Sequence, residues 1–261
     1  MAHGLNAIDW SAPWHAPWRL AGQRAARHIA KNHNVAEGLN AAQAAGLVDA
    51  IAPLRHAEVQ GRPRQFVAQT CLPAETPYET HIFQTGQIPT RDGLHDFFNG
   101  LVWLSLPCAK ERLNALHTAH WRHTPLGRGP ARDGLTLLDE SGALFVGSDA
   151  VWDALCAKDW QRAMVDLRSV WAHTQIVLLG HSLPEKLVTP RKPITAHLYR
   201  VHTDSMALAD IDLALALQLD AAHLATKPFA HLPVLGIPGW WPANENPDFY
   251  TDVSVFRTLR A

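Results

Sequence analysis

At 261 residues and 47% hydrophobic content, the chain is long enough to bury a sizeable core, as one large domain or two tightly joined ones, and this excludes a disordered or fibrous chain. Lysine and arginine number 23 and aspartate and glutamate 24, so no overall field draws the molecule to nucleic acid or to an anionic membrane. The three cysteines, Cys71, Cys108 and Cys156, are far apart and form no CxxC pattern, which argues against a disulfide framework or a thiolate zinc site and fits a reducing cytoplasm.

The sequence starts MAHGLNAIDWSAPWHAPW, without a basic stretch followed by an apolar one, and no run reaches the length of a membrane span. A soluble, cytoplasmic protein is the expectation. Residues 1–57 read as an alanine-rich helical region punctuated at Gly38 and Gly46, and 58–261 as the motif-bearing core of one domain. Arg24, Arg27, His28 and Lys31 share one helical face, which reads as solvated. RQFVAQT (64–70) alternates as a strand, and LPAETPYETHIFQTGQIPTRDG, with its prolines and turn formers, as an ordered but irregular loop.

LHDFFNGLVWLSLP (94–107) is predicted to be a helix apolar over more than half its girth. Leu94, Phe97, Leu101 and Leu104 fall on one side, with Phe98 and Val102 adjoining. The remaining arc collects His95, Asp96, Asn99, Gly100 and Trp103. One reading is a helix with a single wet edge; the other is a core helix whose His95, Asp96 and Asn99 line a pocket. AKERLNALHTAHWRH starts a second helix, in which His117 and His120 lie within the apolar stripe of Leu113 and Leu116 and are expected to point inward. Buried imidazoles need hydrogen-bond partners or a metal, and satisfied core histidines are the commoner outcome.

GLTLLDESGALFVG is predicted to be a β-hairpin near 134–147, turning at Asp139-Glu140-Ser141-Gly142. Residues 149–171 read as helical, with Trp152, Leu155, Trp160, Met164, Leu167 and Trp171 as the apolar side. TQIVLLG is a buried-type strand ending at Gly180-His181-Ser182, where α/β proteins often collect their chemistry, and Glu185 follows His181 at i+4. Gly-His-Ser is no nucleophile elbow, because the fifth position is Pro184. ITAHLYRVH alternates as a strand carrying His197 and His202 on opposite faces, and ALADIDLALALQLDAAHLA reads as the longest clear helix. The tail, LPVLGIPGWWPANENPDFYTDVSVFR, reads as a fixed, packed loop. It supplies Asp252 and Arg257, the latter able to grip a carboxylate or phosphate. The expected class is α+β, a single domain of helices packed around a small mixed sheet.

The series IFQTGQIPTRDGLHDFFNGLVWLSLP, LNALHTAH, RDGLTLLDESG, GHSLPEKL, ITAH and GIPGWWPANENPDFYTDVSVFR resembles a proteobacterial domain-of-unknown-function family, from IDWSAPW near the start to VFR near the end. The resemblance brings no activity, catalytic residue or cofactor. It implies that Arg91, His95, Asp96, Asn99, His117, Asp133, Asp139, Glu140, His181, Glu185, His197 and Asp252 belong to family motifs, and that position 182 is not fixed as serine.

Two functions are expected from these residues. In the first, an enzyme with a His/Asp polar site, a metal-assisted hydrolase, uses His95 or His181 as general base or ligand, oriented by Asp96 or Glu185, with Asn99 beside them. His117, His120, His197 and Asp252 would supply the metal shell, for Zn²⁺, Mn²⁺ or Fe²⁺ rather than Mg²⁺, and Arg91 or Arg257 would hold an anionic substrate group. In the second, a non-catalytic module presents Trp240, Trp241 and Tyr250 to a small-molecule or peptide ligand, the plain alternative being core packing of these rings. No basic stripe interleaved with aromatics points to nucleic acid.

Overall fold

The computed structural model describes residues 4–45, 64–123 and 129–259, and for 121–123 the backbone alone. Its elements in chain order are α1 (Arg19–Asn32), α2 (Val35–Ala44), β1 (Gln65–Ala68), α3 (Tyr78–Thr85), β2 (Gln87–Thr90), α4 (Leu94–Ser105), α5 (Pro107–His123) and α6 (Pro130–Ser141). These are followed by β3 (Gly142–Val146), α7 (Asp149–Cys156), β4 (Gln175–Leu178), α8 (Ser182–Lys186), β5 (Thr195–Arg200), α9 (Leu208–Gln218), α10 (Ala221–Ala225) and β6 (Ala230–Pro233). The class is α+β, as expected. A four-stranded mixed sheet in the order β4-β3-β5-β6 has one parallel pair, β3 with β5, and two antiparallel ones; β1 and β2 form a separate parallel pair. β3 is buried along its whole length because it is central in the sheet and helices cover it.

The predicted hairpin near 134–147 is absent. Residues 130–141 are helical, and only the second half of the motif, β3, is a strand. The helix starts with Pro130 at its first position and Asp133 in its first turn, two helix-start signals that outweigh the β-propensity of Leu-Thr-Leu-Leu. The loop expected before α4 contains α3, ended by Gly86 at φ 75, and the short strand β2. The longest helix is α5, not the 207–225 run, which breaks where Asp220 caps α10. The 149–171 segment breaks after Cys156, where Lys158 sits at φ 53, and resumes as a π-helical turn (Arg162–Asp166) and a 3-10 helix (Arg168–His173). Gly38 lies inside α2, where a Cβ would collide with Ile29 and the carbonyl of Ala25, so it serves helix packing and not punctuation. Gly46 and the boundary at 57 lie outside the described residues.

α4 runs through the core, buried from Asp96 to Ser105. Its Phe97, Phe98, Leu101 and Val102 are fully enclosed, and Gly100 brings it against Leu39 of α2 with no room for a Cβ. Part of the arc assigned to a polar edge is therefore packing surface. Trp103 is buried too, under Arg64 and Lys110, whose charged groups lie 5.7 and 5.4 Å from its ring centre. The face carrying Arg24, Arg27 and Lys31 is exposed. Among the described residues, no helix is long and apolar enough to cross a membrane, and all three cysteines are free.

Candidate functional site

The N-terminal end of α4, the C-terminal end of α6 and the segment after β4 converge because their backbones are tied together. The amides of Leu179 and Gly180 both donate to the carbonyl of Gly142, at 3.1 and 2.7 Å. The next two residues of Gly-His-Ser complete the junction: the His181 amide donates to the carbonyl of Asp139 at 3.2 Å, and Ser182 Oγ donates to that of Glu140 at 2.6 Å. Gly180 is required here, since a Cβ would collide with backbone atoms of Glu140, Ser141 and Gly142. The serine that follows the histidine thus caps the Glu140 carbonyl at the end of α6.

This junction sets His181 beside Glu140, and α4 brings up His95. His181 Nε2 lies 3.0 Å from His95 Nε2 and 3.6 Å from Glu140 Oε1. His95 Nδ1 is held by Glu185 Oε2 at 2.9 Å, from the α8 turn next in the chain. His181 Nδ1 has Asp139 Oδ2 4.0 Å away and no hydrogen-bond partner. Burial drives the His181 imidazole down to about 4, against the opposing pull of Asp139, so it is neutral at physiological pH. Burial raises Glu140 above the ordinary glutamate value. Burial opposes charge on Asp139 as well, but Lys110, with its Nζ 2.5 Å from Oδ1, outweighs it together with His181 and His117 and brings the carboxyl down to about 2.

His95, Asp139, Glu140 and His181 line a cleft of about 300 Å³ together with Gln69, Leu72, Tyr78, Glu79, Arg91, Asp96 and Asn99. Of the residues singled out from sequence, Arg91, His95, Asp96, Asn99 and His181 line this cleft, and Glu185 reaches it only through its bond to His95. Asn99 is 7% exposed; its Nδ2 donates to the Tyr78 hydroxyl at 3.2 Å, and its Oδ1 has no partner. Asp96 does not orient an imidazole. It receives the Arg91 amide at 2.6 Å and two guanidinium contacts at 3.0 and 2.8 Å, as an acid in the first turn of a helix commonly does. Burial would raise its carboxyl, yet the Arg91 bonds hold it below the ordinary value. Arg91 in turn is a partner of Asp96 at the rim, its Nε and Nη2 already engaged.

The four residues expected as a metal shell are not brought together. His117 lines a neighbouring cavity with Glu75, Thr76 and Arg132. His120 has a buried Nε2 without a hydrogen-bond partner, near Gly129. His197 stacks edge-on to His231, which faces it across β5 and β6. Asp252 pairs with Lys192 at 3.0 Å. Among the described residues, the one group of three with metal-ligating atoms within 4.8 Å of one another is His95, Glu140 and His181. Glu140, named from sequence only among the family-motif residues, has no site role there because the expected hairpin places it at a turn; the Pro130 and Asp133 start signals would have put it on a helix end.

The aromatic tail divides. Tyr250 is core, its hydroxyl donating to the Gly236 carbonyl at 2.9 Å, which removes it from any recognition surface. Trp240 and Trp241 are half-buried against the core, Trp240 with its ring 6.1 Å from that of Trp14. Arg257 is exposed beside a different cavity, shared with Lys158 and Trp160.

Residues 64–260 match the family model described as "Protein of unknown function (DUF3025)". The chain belongs to this family. The match takes in every residue of the His95–Glu140–His181 group and its Glu185, Asp139 and Lys110 partners. No curated protein and no solved structure matches the chain.

Proposed function

We propose that the protein is a metal-assisted hydrolase whose divalent ion is held by His95 Nε2, His181 Nε2 and Glu140. The observation that carries this is the approach of the two Nε2 atoms to 3.0 Å. Glu185 accepts a hydrogen bond from His95 Nδ1–H, which leaves a lone pair on His95 Nε2. A neutral His181 then has two choices. Protonated at Nε2, it makes an N–H···N bond but leaves a buried Nδ1 lone pair facing the Asp139 carboxylate. Protonated at Nδ1, it turns toward Asp139 and sets two lone pairs against each other. A cation between the Nε2 atoms relieves the second arrangement, and bonds of about 2.1 Å at angles of 90–110° place ligand atoms roughly 3.0–3.5 Å apart. Glu185 behind His95 and Asp139 behind His181 supply the carboxylate–imidazole support common around such ions.

Two imidazoles and one carboxylate suit Zn²⁺, Mn²⁺ or Fe²⁺ better than Mg²⁺. Three protein ligands leave a position for water, which such an ion acidifies to a pKa near about 7 and turns into a nucleophile. The chain's own groups fix the imidazole tautomers, enclose the water in the cleft and offer Asn99 and Glu79 to a bound substrate.

The test is elemental analysis of protein purified without a histidine tag or chelator. About one zinc, manganese or iron per chain is expected, lost in His181→Ala and in the more exposed Glu140→Gln. A folded, metal-free protein that takes up none of these ions, or a His181→Ala variant that keeps the metal, would sink the proposal.

A further inference from the structure

We infer that the cleft takes an uncharged carboxamide as substrate, and that Glu79 carries the proton from the attacking water to the departing nitrogen. This deepens the metal-assisted reading and rests on it.

Charge in the cleft argues first. Its lining holds four carboxyl groups, Glu79, Asp96, Asp139 and Glu140, and among the described residues Arg91 is its one arginine or lysine. Arg91 offsets Asp96, and Lys110 from behind offsets Asp139. A divalent ion offsets Glu140 and one further negative charge, and no cation remains for an anionic substrate. Sites that act on phosphoryl groups carry arginine or lysine clamps for the developing charge; this one does not. A neutral amide meets no such penalty, and the buried Asn99, with one amide atom unpartnered and the other on Tyr78, presents hydrogen-bonding capacity suited to it.

Glu79 argues second. It sits in the first turn of α3 and lines both this cleft and the adjoining cavity at His117. Its carboxyl receives Asn114 Nδ2 and forms no ion pair among the described residues, although Lys110 and Asp139 lie near. Burial, with Asp139 adding to it, pushes this carboxyl up to about 7, where it can both accept and return a proton at neutral pH. Amide hydrolysis needs both actions, because an amine leaves poorly unless its nitrogen is protonated.

The step balances without a further reactant. The metal-held water gives one proton to Glu79 as its oxygen bonds to the amide carbon. The C–N bond then breaks, the nitrogen leaving with the electron pair and taking that proton from Glu79. The products are a carboxylic acid and an amine, and transfer of the acid proton to the amine gives carboxylate and ammonium.

The experiment uses the full chain loaded with Co²⁺, whose visible spectrum reports ion uptake and ligand exchange. Acetohydroxamic acid, an uncharged amide relative that gives up a proton on binding the ion, is titrated against inorganic phosphate. Acetohydroxamate is expected to bind at least about tenfold more tightly than phosphate, and Glu79→Gln to weaken it about tenfold or more with Co²⁺ affinity unchanged and phosphate bound no less tightly than by the parent. Phosphate binding as tightly as acetohydroxamate overturns the substrate class, and an unchanged acetohydroxamate affinity in Glu79→Gln overturns the role of Glu79. Either can occur with the metal reading intact. A protein that develops no Co²⁺ spectrum removes the metal reading, and this inference with it.

Discussion

Two buried residues define what single side chains contribute. Lys110 is 4% exposed and holds Asp139, which stands behind His181. Replacing it by Met leaves the Asp139 charge enclosed and unpaired, so Lys110→Met is expected to cost about 3–5 kcal/mol, whereas Lys110→Met combined with Asp139→Leu recovers a good part of that loss. Urea unfolding of the single and double variants checks this; equal stability of Lys110→Met and the parent would contradict it. His15 is buried between Trp14 and Trp18, with its ring nitrogens 3.1 and 3.3 Å from the two indole nitrogens and its face stacked on Phe98. A neutral ring turns one lone pair to one indole; a second proton would set an N–H against each donor. Burial lowers this histidine to about 4. Because the folded value lies below the unfolded one, the unfolded chain binds the proton first, and stability is complete above about pH 6.5 and falls as pH drops toward 4. The loss from this residue amounts to about 3 kcal/mol. Thermal unfolding between pH 7 and 4 should be flatter in His15→Gln; an identical pH dependence would exclude His15 as the source.

At the level of elements, the junction between α6 and the end of β4 decides whether the site exists. Gly180→Ala forces a methyl group into the backbone of Glu140–Gly142, and overpacking of this kind costs about 1–3 kcal/mol. It should also separate His181 from Glu140, so a lowered melting temperature together with weakened Zn²⁺ or Co²⁺ binding is expected; full affinity in the variant would show that the junction does not set the ligand spacing. Reading the sequence went furthest where one element carried its own signal. α4 was legible because its apolar stripe and its His95 and Asn99 edge lie within twelve residues. β4 was legible as a short apolar run. The His95–Glu185 and His95–His181 contacts, 90 and 86 residues apart, were not, since no periodicity links groups that meet through tertiary packing. Asp96 misled for a local reason: an acid in the first turn of a helix bonds the backbone just before it as readily as it serves a site. The hairpin error cost the most, because it hid the place of Glu140 at the end of a helix facing the site.

For the whole molecule, the proposed ion, held by three distant elements, would act on stability as a ligand of the folded state. At a free concentration about 100 times its dissociation constant it adds about 2.7 kcal/mol, which for a chain of this size corresponds to roughly 5–10 °C in melting temperature. Removal by a chelator should lower the transition by that amount and re-addition should restore it, while Glu140→Gln should melt at the same temperature with and without chelator. His95, Glu140 and His181 come from three separate stretches of chain, and Glu185 lies later still. During synthesis, no emerging fragment that stops before α8 owns the complete ligand set and its support. Capture of the proposed ion would thereby be tied to tertiary closure: native ligand spacing requires α4, α6 and the end of β4 to have docked, so metal uptake would report that one long-range closure.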